Sequence, residues 1–112
     1  MPVEVVTSLA QFETTINSDE YSFFHFWETW SGPCRYSRPK FEQHSDDGIY
    51  PHVKFYSVNF DDCRSISNFY GLNITPTFVL YKNGDEITRE IGWKTDLYRI
   101  LDRAVVKPEE NS

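Results

Sequence analysis

The sequence predicts an α/β domain, a mixed sheet of about five strands with helices on both faces. Three observations predict it. Residues 21–27, Tyr-Ser-Phe-Phe-His-Phe-Trp, form a near-continuous apolar run of the kind that fills a strand covered on both sides. This run and a second strand pattern over Val53–Val58 each lead, within a few residues, into a helical pattern, as parallel crossover units do. Asn83-Gly84 then separates two more strand-like runs, and that dipeptide is the strongest short-range signal of an antiparallel hairpin.

The elements follow in order. Val3 to Val6 is a β-branched run that reads as a first strand, and Ser8 with Gln11 forms a capping box for a helix carrying Leu9, Phe12 and Ile16. The run Tyr21–Trp27 is the central strand. Pro33 suits the first turn of a helix that begins at or just after Ser31, holds Cys34 one turn in, and bends at Pro39. Val53, Phe55 and Ser57 alternate with Lys54, Tyr56 and Val58 in the next strand, after which Asp61-Asp62 should cap a helix with Cys63, Ile66 and Tyr70 on one stripe. Thr77–Tyr81 and Glu86–Ile91 form the hairpin, and Thr95 is the expected cap of a closing helix built on Leu97, Ile100, Leu101, Ala104 and Val105. The domain is expected over 1–106, with a polar, proline-broken tail at 107–112.

Composition narrows the function classes. A chain of 112 residues is one domain, and 39% hydrophobic residues with nine Phe, seven Tyr and three Trp suffice for one core, which argues against intrinsic disorder. Seventeen acidic against eleven basic residues give a net charge of −6, which argues against nucleic acid as a partner. The chain has no window of about 18 apolar residues and no basic, apolar, small-residue leader pattern, so the expectation is a cytoplasmic protein that does not engage membranes. Two cysteines supply neither a disulfide framework nor the ligands of a structural zinc site. Asp46 and Asp47 lie in a different turn from Asp61 and Asp62, so no metal site is expected, and no cofactor.

The stretch Phe26-Trp27-Glu28-Thr29-Trp30-Ser31-Gly32-Pro33-Cys34-Arg35 resembles the active-site segment of the thioredoxin family, in which Trp-Cys-Gly-Pro-Cys follows a strand and opens a helix. Pro39, Asn59-Phe60-Asp61-Asp62, Ile74-Thr75-Pro76-Thr77-Phe78, Lys82-Asn83-Gly84 and Gly92 match further family features in order, so the resemblance spans Val3 to Val106 and implies the thioredoxin fold. It also implies that Trp30, Gly32, Pro33, Thr75, Pro76 and Gly92 form a surface receiving an extended peptide. A cis-Pro76 would there offer the backbone of Thr75 for a short β-ladder. Trp93 is a second aromatic beside that surface or a packing residue.

Two departures stand at the chemistry. The family's exposed nucleophilic cysteine is Ser31 here, and its buried carboxylate on the central strand is His25; Cys34 matches the second cysteine. Dithiol reduction requires a thiolate that attacks and a second thiol that resolves the mixed disulfide, and a serine oxygen forms no disulfide. Ser31 reads first as a helix cap, or as a serine nucleophile if a base activates it. Cys34 is either an inert, partly buried sulfur or a nucleophile assisted by His25, which the resemblance places on the strand face toward it; otherwise His25 is a satisfied core histidine. Cys63 reads as a buried free thiol, with a redox-sensitive pairing to Cys34 or to another chain as the alternative.

Three functions therefore stand open. The chain is an atypical single-cysteine exchange protein, forming mixed disulfides of Cys34 with protein thiols or glutathione in a deglutathionylation-type cycle. Alternatively it is a non-catalytic peptide-binding or holdase module that uses the groove, or an engineered Cys-to-Ser variant of an ordinary disulfide reductase. Thioredoxin reductase is a poor partner because it reduces a disulfide that this motif cannot form. The expected state is a monomer or weak dimer.

Overall fold

A computed structural model of the chain describes residues 3–105. Val106 and the expected tail at 107–112 lie outside the described residues. The elements run β1 (Glu4–Val5), α1 (Leu9–Ile16), β2 (Tyr21–Trp27), α2 (Cys34–Asp46), β3 (Val53–Asn59), α3 (Arg64–Tyr70), β4 (Thr77–Lys82), β5 (Asp85–Ile91) and α4 (Leu97–Leu101). The sheet order is β1-β3-β2-β4-β5, with β2 in the middle as its apolar run predicts. β1 and β2 both run parallel to β3, whereas β4 is antiparallel to β2 and β5 to β4, giving the expected mixed sheet.

Alternation along β2 divides the core. Phe24 and Phe26 face a cluster with Phe12 and Ile16 of α1 and Ile66 of α3, while Phe23 faces Phe41 of α2 and Leu97, Ile100 and Leu101 of α4. Each of these fully buried large side chains contributes roughly 1.5–3 kcal/mol of transfer free energy. The phenylalanines interlock edge-on, Phe12 standing at 71° to Phe24 with ring centroids 5.0 Å apart. The Asn83-Gly84 turn places both residues at positive φ, 54° and 80°, as a two-residue hairpin of this twist requires.

Several helix ends differ from expectation. Ser8 Oγ accepts from the Gln11 N–H at 3.1 Å, but the returning Gln11 side chain accepts from Thr7 rather than Ser8, at 3.0 Å. Asp61 and Asp62 do not cap α3: Cys63 holds the cap position without a side-chain bond, and Asp61 instead accepts from the Thr29 N–H at 3.0 Å. α4 is capped by Asp96, which accepts from the Tyr98 N–H at 3.1 Å, because the helix starts two residues beyond Thr95. Val105 is 58% exposed, outside the apolar stripe of α4, since that helix ends at Leu101.

Candidate active site

The C-terminal end of the central strand carries the site, as the crossover topology requires. Trp27 closes β2, its carbonyl accepting from the Phe60 N–H at 2.9 Å, and the chain then turns sharply through residues 28–33. The turn is built from three-residue backbone bonds: Ser31 N–H to the Glu28 carbonyl, Cys34 N–H to the Ser31 carbonyl, both 3.2 Å, and Arg35 N–H to the Gly32 carbonyl, 3.0 Å. Proline at 33, which lacks an N–H, occupies the cap position, so α2 opens on Cys34.

This corrects two expectations. Ser31 does not cap α2 through its side chain, because its carbonyl rather than its hydroxyl meets the helix end. Cys34 is the first helical residue rather than one turn in, where the helix dipole acts most strongly. Both residues are buried, Ser31 at 8% and Cys34 at 2% exposure.

His25 lies beneath the head of α2, packed on Phe41 and Phe78 at ring-centroid distances of 5.2 and 5.0 Å. Its Nε2 bonds Ser37 Oγ at 2.8 Å, and Ser37 in turn donates to the Cys34 carbonyl oxygen at 3.3 Å. Ser37 has one hydroxyl proton, so both bonds form together only if His25 Nε2–H is the donor to Ser37. Burial, and secondarily the Arg38 guanidinium, lowers the His25 pKa from 6.5 to about 3, so the imidazole is neutral. The expected direct Cys–His pair is not formed: His25 is spent on Ser37 and hydrogen-bonds no sulfur among the described residues.

Glu28 is the residue that sequence reasoning overlooked. Only 5% exposed, its carboxylate accepts from Thr75 Oγ1 at 2.9 Å and from Arg64 Nη1 at 3.1 Å. Arg64 also reaches Asp61 at 3.3 Å, which in turn holds Thr29. The active-site turn, α3 and the Pro76 loop are thereby clamped together. An acidic residue directly after an apolar strand was the available signal, because a carboxylate there is buried and must find partners.

Of the residues expected to form the peptide surface, Trp30, Gly32, Pro33 and Thr75 line one surface cleft of about 560 Å³ together with Ser31, whereas Pro76 and Gly92 are not in its lining; the Thr75–Pro76 peptide is cis, and the Gly92 N–H donates to the Pro76 carbonyl at 3.0 Å. Gly92 sits at φ 112°, a conformation open to glycine. Trp30 is 73% exposed at the rim. Trp93 packs on Tyr36 with centroids 5.2 Å apart on the other side of Gly32-Pro33. A separate cavity of about 190 Å³ at the head of α2 is lined by Ser31, Cys34, Arg35, Arg38 and Trp27 among others. Cys63 lies elsewhere, in the core layer of α1 and α3, and both cysteines are free thiols. No cluster of three or more His, Cys, Asp or Glu suited to a metal occurs among the described residues, nor a helix long and apolar enough to cross a membrane.

A family model described as Thioredoxin matches residues 3–103. The chain belongs to the thioredoxin family. It is 38% identical over 90 residues to a thioredoxin of Malassezia sympodialis, covering 80% of this chain and 86% of that protein. It is 34% identical to thioredoxin-1 of Schizosaccharomyces pombe, at 80% and 85% coverage. Among solved structures, the Malassezia sympodialis thioredoxin superposes with a TM-score of 0.83 at 34% identity, covering 91% of this chain and 90% of that one. The Fasciola hepatica thioredoxin gives 0.83 at 30% identity, with 92% and 100% coverage. Membership in the thioredoxin family places the chain in thiol–disulfide redox chemistry, with protein thiols and disulfides as the substrate class.

Proposed function

We propose that this thioredoxin-family chain is a single-thiol exchange protein in which Cys34 forms mixed disulfides that an external thiol resolves, the intramolecular dithiol cycle being absent. The observation that carries the reading is Ser31 beside Cys34: the turn that opens α2 holds one sulfur, Cys34, in the wall of a cavity, and an oxygen where the second sulfur would be needed. The position of Cys34 at the first residue of α2, in the wall of that cavity, supports it, since the positive end of the helix dipole faces an incoming disulfide there. Glutathione is the small thiol best suited to resolve the adduct, and thioredoxin reductase has no disulfide here to reduce.

The test is intact mass after brief exposure to glutathione disulfide, with peptide mapping. The expected result is one glutathione adduct at Cys34, released by reduced glutathione, and no reduction of insulin disulfides. Absence of the adduct from the folded chain would overturn the reading.

A second reading has its own support. The backbone N–H and carbonyl of Thr75 take part in no hydrogen bond among the described residues, and Trp30 stands exposed beside them. That is the arrangement of a binding module that adds an extended segment as a β-ladder without exchanging thiols. Under this reading Cys34→Ala leaves binding of an alkylated, unfolded polypeptide unchanged.

A further inference from the structure

We propose that the cavity at the head of α2 receives a small anionic disulfide of the glutathione type, with Arg35 and Arg38 holding its carboxylates while Cys34 exchanges. This rests on the single-thiol reading and names its substrate class.

Three observations point to an anion here. Arg64, Arg89 and Arg99 each pair with a carboxylate, whereas Arg35 and Arg38, one helical turn apart in the cavity wall, form no ion pair among the described residues. The Arg38 guanidinium carbon lies over the Trp27 ring, 4.0 Å from its centroid, a cation–π contact that leaves its N–H donors for a carboxylate. The Ser31 hydroxyl, in a residue only 8% exposed and also in the cavity wall, makes no hydrogen bond among the described residues, so a donor is left for the ligand. The one carboxylate in the wall, Glu28, is already occupied by Arg64 and Thr75. A cationic mouth on a chain of net charge −6 is a local feature, selective at short range.

Size favours a small disulfide over a protein one. Cys34 is 2% exposed and the cavity is about 190 Å³, enough for a cysteinyl arm but not for a folded chain. In the exchange, the Cys34 thiol loses its proton to solvent and the thiolate attacks the nearer sulfur of the disulfide. The Cys34–S bond forms as the original S–S bond breaks, and the departing thiolate carries away the electron pair and takes up a proton, with the Ser31 hydroxyl placed to donate a hydrogen bond to it.

The experiment compares rates of Cys34 adduct formation, by mapped intact mass, with glutathione disulfide, cationic cystamine and neutral bis(2-hydroxyethyl) disulfide. The expected order favours the anionic disulfide over the cationic one, a preference that shrinks as salt is added. Arg35→Gln with Arg38→Gln lowers the ratio of anionic to cationic rates roughly tenfold. Arg99→Gln with Arg103→Gln, the same loss of two positive charges at exposed sites in another part of the chain, leaves the ratio unchanged. Adducts with no charge preference, or a ratio that the arginine variants do not move, overturn this proposal and leave single-thiol exchange standing. No adduct with any of the three on the folded chain, while the urea-unfolded chain reacts, overturns both.

Discussion

His25 and Ser37 meet at 2.8 Å beneath the head of α2, and Ser37 passes the contact on to the backbone carbonyl of Cys34 rather than to its sulfur. The histidine therefore acts on the position of the helix start, as a neutral donor held among phenylalanine rings.

That neutrality carries a pH signature. The folded-state pKa of about 3 lies below the unfolded value of 6.5, so the unfolded chain binds the extra proton first. The contribution of His25 is fully present above pH 6.5 and is lost as pH falls toward 3, at up to about 1.4 kcal/mol per pH unit. His25→Asn should flatten the profile over that window. Urea unfolding of both proteins at pH 7, 6 and 5 checks it, and parallel profiles would contradict it.

The clamp at Glu28 predicts an asymmetry between its partners. Arg64→Ala leaves a buried carboxylate without its counter-ion, whereas Glu28→Gln keeps the shape and removes the charge, leaving an exposed arginine in water. The arginine variant should cost about 2 kcal/mol and the glutamine variant about 1 kcal/mol or less. Denaturant midpoints decide the order.

Trp30 is placed for contact rather than for stability. Because it is 73% exposed, Trp30→Ala should change stability by no more than about 0.5 kcal/mol. It should nevertheless weaken binding of a labelled, alkylated insulin B chain by roughly tenfold, as the loss of an exposed aromatic anchor does. Anisotropy titration measures the binding.

Ser31→Cys restores the missing sulfur at a turn whose backbone bonds already tie residue 31 to residue 34 at 3.2 Å. The expected outcome is a 31–34 disulfide on oxidation, seen as a loss of two mass units, and insulin-disulfide reduction well above that of the parent chain. A variant that forms the bond but stays inactive would locate the remaining deficit at His25, where the family carries a carboxylate.

Much of this was legible in the chain. A near-continuous apolar run is best buried on both faces, so β2 is central; Asn83-Gly84 admits the two positive φ angles of a tight hairpin; and serine contains no sulfur, so residues 31 and 34 form no disulfide with each other whatever the fold does. Such features depend on local pattern or on atomic composition. Which cap a helix uses was less legible, because Asp61, Asp62 and Thr95 are all competent caps and the register of each helix start, set by packing, chose among Asp96, Cys63 and Pro33 instead. Only the tertiary structure decided the partners of the polar groups at the site. Glu28 finds Thr75 across 47 residues and Arg64 across 36, and His25 finds Ser37 across 12. A buried polar atom takes whichever partner the folded chain brings within about 3 Å, and that distance is a property of the packed layers rather than of any sequence window.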